Sequence, residues 1–266
     1  MSETLAYARG DLCRPAAPLL LREADALATR EGIFETLHVA AGVVREADLH
    51  LDRLLAAARL LGVQLRESRA QLLEATRAVA STASAPSARL RITAFEDGSE
   101  VEVMVTIGPY DPPSRSTCEG GVQATLARDA GVRRADPSRQ VKSLAWRRRG
   151  EELLRAAPAS YDVLVFNDAG RVAEGARSNV VARRGGLPTT PPLSEGCLPG
   201  TVRARLLESG AVREGVLDTA DLLGGAEVVL TNSLVGVISV AQIDDSRCEV
   251  TDLAAELRAV WETLRS

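Results

Sequence analysis

Apolar and polar residues alternate through Gly32-Ile33-Phe34-Glu35-Thr36-Leu37-His38-Val39, which predicts a strand, and Ala41-Gly42 marks the turn out of it. The period then lengthens. Between Glu46 and Leu61 the residues Leu51, Leu54, Leu55, Ala58 and Leu61 fall on one helical stripe, and a second helix is predicted at about Ser68 to Ala80. Two alternating runs, Arg89–Ala94 and Val101–Ile107, read as a hairpin of the same sheet with Asp97-Gly98 in its turn. These elements make residues 1–110 a small α+β domain.

Asp111-Pro112-Pro113-Ser114-Arg115-Ser116 reads as a linker, taken as 111–120, and a larger domain is expected over 121–266. A strand at Gly121–Arg128 opens it, and a helix is predicted at about Ser143–Ala157. Asp162–Phe166 and Arg171–Ala173 flank the turn Asn167-Asp168-Ala169-Gly170, and another strand covers Asn179–Arg183. Thr201–Ser209 reads as a helix after Gly196-Cys197-Leu198-Pro199-Gly200. Strands Glu227–Leu230 and Val237–Gln242 enclose Thr231-Asn232-Ser233-Leu234, and Thr251 is read as the cap of a closing helix. No internal repeat or low-complexity tract interrupts this order.

Composition narrows the class. The 266 residues are 45% hydrophobic and 26% charged, ordinary for a globular protein, while aromatics at 3% leave the core to Leu, Val and Ala. A net charge of −4 is too mild to predict nucleic acid or an acidic membrane surface as partner. The run Arg147-Arg148-Arg149 reads as a solvated helix face. The apolar patch Pro18–Leu21 is too short for a signal segment, and no run approaches the ~18 apolar residues of a membrane span. Four scattered cysteines, Cys13, Cys118, Cys197 and Cys248, fit a reducing cytoplasm. Two histidines, His38 and His50, give a metal site or a histidine triad little material, so no metal is expected.

One count adds chemistry. Of 32 Lys plus Arg, only Lys142 is lysine. Arginine stays protonated in a protein, so it is neither an amine nucleophile nor a partner in a stable imine. Lysine becomes both once its pKa is lowered. Composition alone leaves chance survival of one lysine equally open, so the surrounding residues decide. A pyridoxal phosphate site needs an imine-forming lysine, an acid facing the pyridine nitrogen, anion donors and a substrate pocket. Glu174, between two strands, can supply the acid. Gly200-Thr201-Val202, where a loop becomes a helix, can cradle a phosphate, with Ser233 adding a hydroxyl and Arg53 a charged fork. Each of these singly is also what a strand end, helix start or surface residue looks like.

In order along the chain, GIFETLHV, HLDRL, VKSL, RVAEGARSN, TPPLSEGCLPGTVR and VVLTNSLVGVISV resemble the successive motifs of class IV aminotransferases, the fold-type IV pyridoxal phosphate enzymes. The resemblance runs from about Asp25 to Ala241. It implies a two-domain α+β and α/β architecture like that of D-amino-acid aminotransferases, with cofactor in the interdomain cleft and a homodimeric assembly. It further implies that Lys142 forms the Schiff base and that Glu174 faces the pyridine nitrogen. Arg53, Thr201, Val202 and Ser233 would hold the phosphate, with Leu198 beside the ring. Phe34, Thr36, Trp146, Asn232 and Leu234 are the candidate substrate pocket. His50 and Arg177 stand near these motifs without an assigned role.

Within the family, LTNSLVGVISV looks most like the 4-amino-4-deoxychorismate lyases, where Asn-Ser-Leu replaces the Gly-Thr-Ala of branched-chain enzymes. The stretch Ala94-Phe95-Glu96-Asp97-Gly98 lacks the Arg-Gly of D-amino-acid enzymes, which lyase-like sequences also often carry. Ala145, Trp146 and Val202 stand where relatives frequently have Asn, Tyr and Thr. The expected reaction is cleavage to 4-aminobenzoate and pyruvate, a step of folate biosynthesis. The alternatives are a branched-chain or other class IV transaminase and, third, a homologue that binds the cofactor without turnover.

Overall fold

A computed structural model describes residues 5–15 and 17–264. The chain divides into two compact units. The first comprises residues up to Pro112 together with Val141–Arg148, and the second comprises Pro113–Gln140 and the residues from Arg149 onward.

The first unit contains β1 (Ala6–Ala8), β2 (Asp11–Cys13), α1 (Ala17–Thr29), β3 (Gly32–Ala40), β4 (Val43–Val44), α2 (Ala47–Leu61), α3 (Arg69–Ser81), β5 (Ser87–Asp97) and β6 (Glu100–Pro109). Its sheet runs β2-β1-β6-β5-β3-β4, with β3, β5 and β6 antiparallel in long register. Successive strand residues face opposite sides, so Ile33, Leu37 and Val39 turn toward α2 and α3 and pack with Leu51, Leu54, Leu72 and Val79. Each such side chain, fully buried, contributes roughly 1.5–3 kcal/mol. On the opposite face Phe34 packs with Phe95, Met104, Ala26 and Leu144. The predicted helices fall where the stripe put them. Ser68 starts α3 through a capping box: Gln71 N–H donates to its hydroxyl, and its own N–H donates to the Gln71 side chain.

The second unit opens with α4 (Arg115–Gly120), so part of the stretch expected to be a linker is helical. Ser114 caps this helix by accepting the Thr117 N–H, and Cys118 is its buried contact. Then follow β7 (Val122–Val132), a 3-10 turn at Pro137–Gln140, α5 (Leu144–Ala156), β8 (Asp162–Asn167), β9 (Val172–Gly175), β10 (Asn179–Arg184) and β11 (Leu187–Thr190). A 3-10 turn at Leu193–Glu195, α6 (Thr201–Glu208), β12 (Arg213–Glu214), β13 (Val228–Asn232), β14 (Gly236–Ile243), β15 (Ser246–Arg247) and α7 (Leu253–Leu264) complete it. The sequence placed Lys142 and the start of α5 in this half; the segment Val141–Arg148 packs with the first unit.

The second sheet is mixed, in the order β12-β11-β10-β13-β14-β7-β8-β9, with β15 on β14. Pairs β7·β8 and β7·β14 are parallel, the others along the centre antiparallel. All six residues of β8 are buried, which accounts for its unbroken apolar run. One face packs Leu164, Val180, Leu230 and Ile238 together; Val181, Val229 and Val237 pack against α6 and α7 through Val202, Leu206, Leu257 and Trp261. The cap of α7 falls on Asp252, one residue after the expected Thr251, because its carbonyl accepts the Glu256 N–H.

Candidate active site

In the first unit, Lys142 lies just before α5, and its carbonyl accepts the Phe34 N–H at 2.9 Å. An isolated bridge between Ile33 and Ser143 extends this pairing, so β3 fixes the lysine backbone. The half-buried Lys142 Nζ stands 4.8 Å from the centre of the Phe34 ring. Phe34 and Thr36 share one face of β3, with Phe34 buried and Thr36 half-buried. Trp146, half-buried on the first turn of α5, donates its N–H to the Ser143 hydroxyl.

The other face of β3 carries Glu35, 1% exposed among apolar neighbours. Arg53 from α2 grips it with a two-pronged fork, Nε to Oε1 at 2.7 Å and Nη2 to Oε2 at 2.6 Å, and His50 Nδ1 meets Oε2 at 2.7 Å. Burial alone would raise the Glu35 carboxyl, but the charge of Arg53 and the His50 contact outweigh it and hold it down to about 2. Burial pushes His50 the other way for a base, below its ordinary value, despite the Glu35 carboxylate. A neutral ring donating Nδ1–H to a carboxylate satisfies both shifts. Arg53 is thus an organised guanidinium with its fork already engaged. The sequence carried a signal for this group: Glu35 stands in the apolar phase of its strand, and His50 and Arg53 are three apart on one helix.

In the second unit, Glu174 lies one residue before the end of β9, opposite Val165 of β8, and is 3% exposed. Its Oε1 accepts from Arg139 Nη2 at 2.5 Å and its Oε2 from the Leu198 N–H at 2.8 Å. The turn after it is tied by the Gly175 N–H to the Ser178 carbonyl, 2.7 Å. Gly175 must lack a side chain, because a Cβ there would lie 2.5 Å from both Asp162 Oδ2 and Ser178 Oγ. Leu198 is half-buried, and its carbonyl accepts from Asn179 Nδ2 at 2.8 Å. Gly200 precedes α6, and a Cβ on it would run into the Asn179 side-chain oxygen.

Thr201 and Val202 are the buried first residues of α6, whose N-cap Gly200 supplies no side-chain cap. Asn179 lies opposite Thr231 in the β10·β13 ladder, which brings the turn after β13 to the end of the sheet where Asn179 holds Leu198. Ser233 is half-buried in that turn, and Asn232 Oδ1 accepts the Leu234 and Val235 N–H groups at 3.0 Å, so the Asn232 oxygen shapes the turn itself. Exposed Arg177 stacks its guanidinium on Tyr161, 4.3 Å from the ring centre.

These groups fit a phosphorylated cofactor. The start of α6 offers backbone N–H groups and the positive end of a helix dipole, and the buried Thr231 Oγ1 has no hydrogen-bond partner among the described residues. Glu174 is a buried carboxylate with a donor on each oxygen. Arg139, Glu35 and Asn179 were missed by the sequence reading; Arg139 carries no signal there at all, because its partner is 35 residues away. Among the described residues no group of His, Cys, Asp and Glu is arranged to hold a metal ion, and no helix is long and apolar enough to cross a membrane.

The fold and site define a pyridoxal phosphate enzyme of fold type IV, and comparison with known proteins agrees. The family model for class IV amino-transferases matches residues 32–243. A Mycobacterium tuberculosis protein named as a bifunctional aminodeoxychorismate lyase and D-amino acid transaminase is 30% identical over 268 residues, covering 92% of this chain and 93% of that one. A partial match to the Saccharomyces cerevisiae aminodeoxychorismate lyase is 37% identical over 82 residues, 29% of this chain and 22% of that protein. The pyridoxal-phosphate-bound structure of an M. tuberculosis protein described as a hypothetical aminotransferase superposes with a TM-score of 0.83 at 25% identity, covering 98% of each chain. The chain belongs to the class IV aminotransferases. It is a pyridoxal-phosphate-dependent enzyme.

Proposed function

We propose that the chain is a 4-amino-4-deoxychorismate lyase that releases 4-aminobenzoate and pyruvate, a step of folate biosynthesis, as a cytoplasmic homodimer. The observation that supports this most is the near full-length relative named for that reaction. The Asn232-Ser233-Leu234 turn, shaped by the Asn232 oxygen, supports it from this chain's own residues. Pyridoxal phosphate, when bound, supplies an aldehyde for imine formation and a ring that takes up electron density.

Lys142 Nζ is the group that carries the cofactor, takes the proton from the substrate carbon bearing nitrogen, and returns one to the departing three-carbon methylene. Its place 4.8 Å from the centre of the Phe34 ring sets one side of the amine against an aromatic face that orients it. Glu174 holds negative charge for the pyridine nitrogen. Arg53, the Thr201 and Val202 N–H groups and Ser233 hold the phosphate, and Leu198 packs beside the ring. Phe34, Thr36, Trp146, Asn232 and Leu234 line the substrate pocket. Aromatisation of the remaining ring to 4-aminobenzoate makes release strongly downhill.

The test is to incubate cofactor-loaded protein with aminodeoxychorismate and no 2-oxo acid. Pyruvate and 4-aminobenzoate are expected in equal amounts, and Lys142→Arg should form neither. A second reading, an amino-acid transaminase of class IV, branched-chain or other, draws support from the second activity in that relative's name. Absence of both products, with nitrogen passed from an amino acid to a 2-oxo acid, would replace the first reading by the second.

A further inference from the structure

Arg139 lies in a tight turn at Pro137–Gln140 that Asp136 secures, its Oδ1 accepting the Ser138 N–H at 2.9 Å and its carbonyl the Arg139 N–H at 3.1 Å. From there the guanidinium runs inward, its side chain 10% exposed, and touches two parts of the second-unit site at once. Nη2 meets Glu174 Oε1 at 2.5 Å, and Nε donates to the Gly196 carbonyl at 3.2 Å. The other Glu174 oxygen accepts the Leu198 N–H, so arginine, glutamate and the turn 196–198 are joined in one cluster.

The charged and titratable groups facing Arg139 are Glu174, Asp136 and Cys197. Burial pushes the Cys197 thiol up to about 12, so it stays neutral and adds no charge. Burial also weakens the hold of Arg139 on its proton, and Glu174 and Asp136 oppose that. What remains is a buried cation against a buried anion at 2.5 Å.

A lone buried carboxylate raises the proton affinity of any base placed beside it; a carboxylate already paired with a cation raises it less. We propose that Arg139 is a positioning residue that fixes the Glu174 carboxylate and tempers its charge, so that the pyridine nitrogen of bound cofactor gives up its proton at lower pH than it would beside Glu174 alone. The inference rests on the assignment of Glu174 to that nitrogen. It adds an electrostatic control of how far the ring can take up electron density.

The experiment loads protein with pyridoxal phosphate labelled with nitrogen-15 in the ring and follows the label by NMR against pH. Three variants accompany the parent. Arg139→Gln keeps a donor for Glu174 without charge, Arg139→Met removes both, and Glu174→Gln removes the anion. With Arg139→Gln and Arg139→Met the nitrogen should stay protonated to higher pH, by on the order of one pH unit, as expected for deleting a cation near a group that is itself cationic when protonated. An Arg139→Gln titration that overlays the parent, while Glu174→Gln moves it, overturns the inference and leaves Glu174 in place. A titration that Glu174→Gln does not move removes Glu174 from the nitrogen and the inference with it. A purely structural role would lower thermal stability without moving the titration, which also counts against the proposal.

Discussion

Asp162 is wholly buried at the first position of β8, accepting the Val163 N–H at 2.8 Å and the Ser178 hydroxyl, beside the bare Gly175 that follows Glu174. Burial raises its carboxyl from 3.8 to about 6, against the opposing pulls of Ser178, Arg177 and two backbone N–H groups. A folded value above the unfolded one means this group's contribution to stability is fully present below about pH 4 and is lost as pH rises through 6. The difference amounts to roughly 3 kcal/mol. Asp162→Asn should therefore gain on the parent by up to roughly that amount between pH 4 and 7 in denaturant unfolding, its amide oxygen keeping the Val163 bond. A gap that does not change with pH would show that Asp162 stays ionised in the fold. Single residues were unevenly legible. Lys142 could be singled out by counting, whereas Asp162 and Arg139 acquire their character from burial and from partners far along the chain, which no local pattern encodes.

At the scale of elements, the sequence read best where a period had room to repeat. Strand β3, helices α2 and α3, and strands β8 and β10 fall within a residue or two of their predicted spans. β1, β2, β4, β12 and β15, of two or three residues, hold too little of a period to read and exist because a neighbouring strand offers its edge. The helix α4 was hidden inside a Pro- and Ser-rich stretch because Ser114, read as loop, is its cap. The start of α6 was legible as Pro-Gly before a helix, but not the reason for glycine, which is the Asn179 side chain against it. Gly200→Ala should displace Asn179 and break its bond to the Leu198 carbonyl, at a cost of about 1–3 kcal/mol. Because that turn leads into the Thr201 and Val202 N–H groups, the variant should lose more affinity for pyridoxal phosphate than for pyridoxal. Equal losses for the two would detach α6 from the phosphate.

For the molecule as a whole, the consequence that reaches furthest comes from its cations. Among 32 lysines and arginines, Lys142 is the sole lysine, so imine chemistry on a side chain has one address. Arginine carries the structural ion pairs throughout, from Arg53 on Glu35 to Arg139 on Glu174 and Arg203 on Glu214, and its guanidinium does not compete for an aldehyde. Loading with cofactor, reduction by borohydride and digestion should then yield one labelled side chain, Lys142, approaching one label per chain. Amine acylation of the protein before loading should block that label while leaving every arginine pair intact, so the folded state should survive a modification that removes the activity. Loading first should protect Lys142 from the acylating reagent. Label recovered at the chain's α-amino group, or retained in Lys142→Arg, would mean that the lone lysine is a survivor of composition rather than the residue on which the chemistry turns.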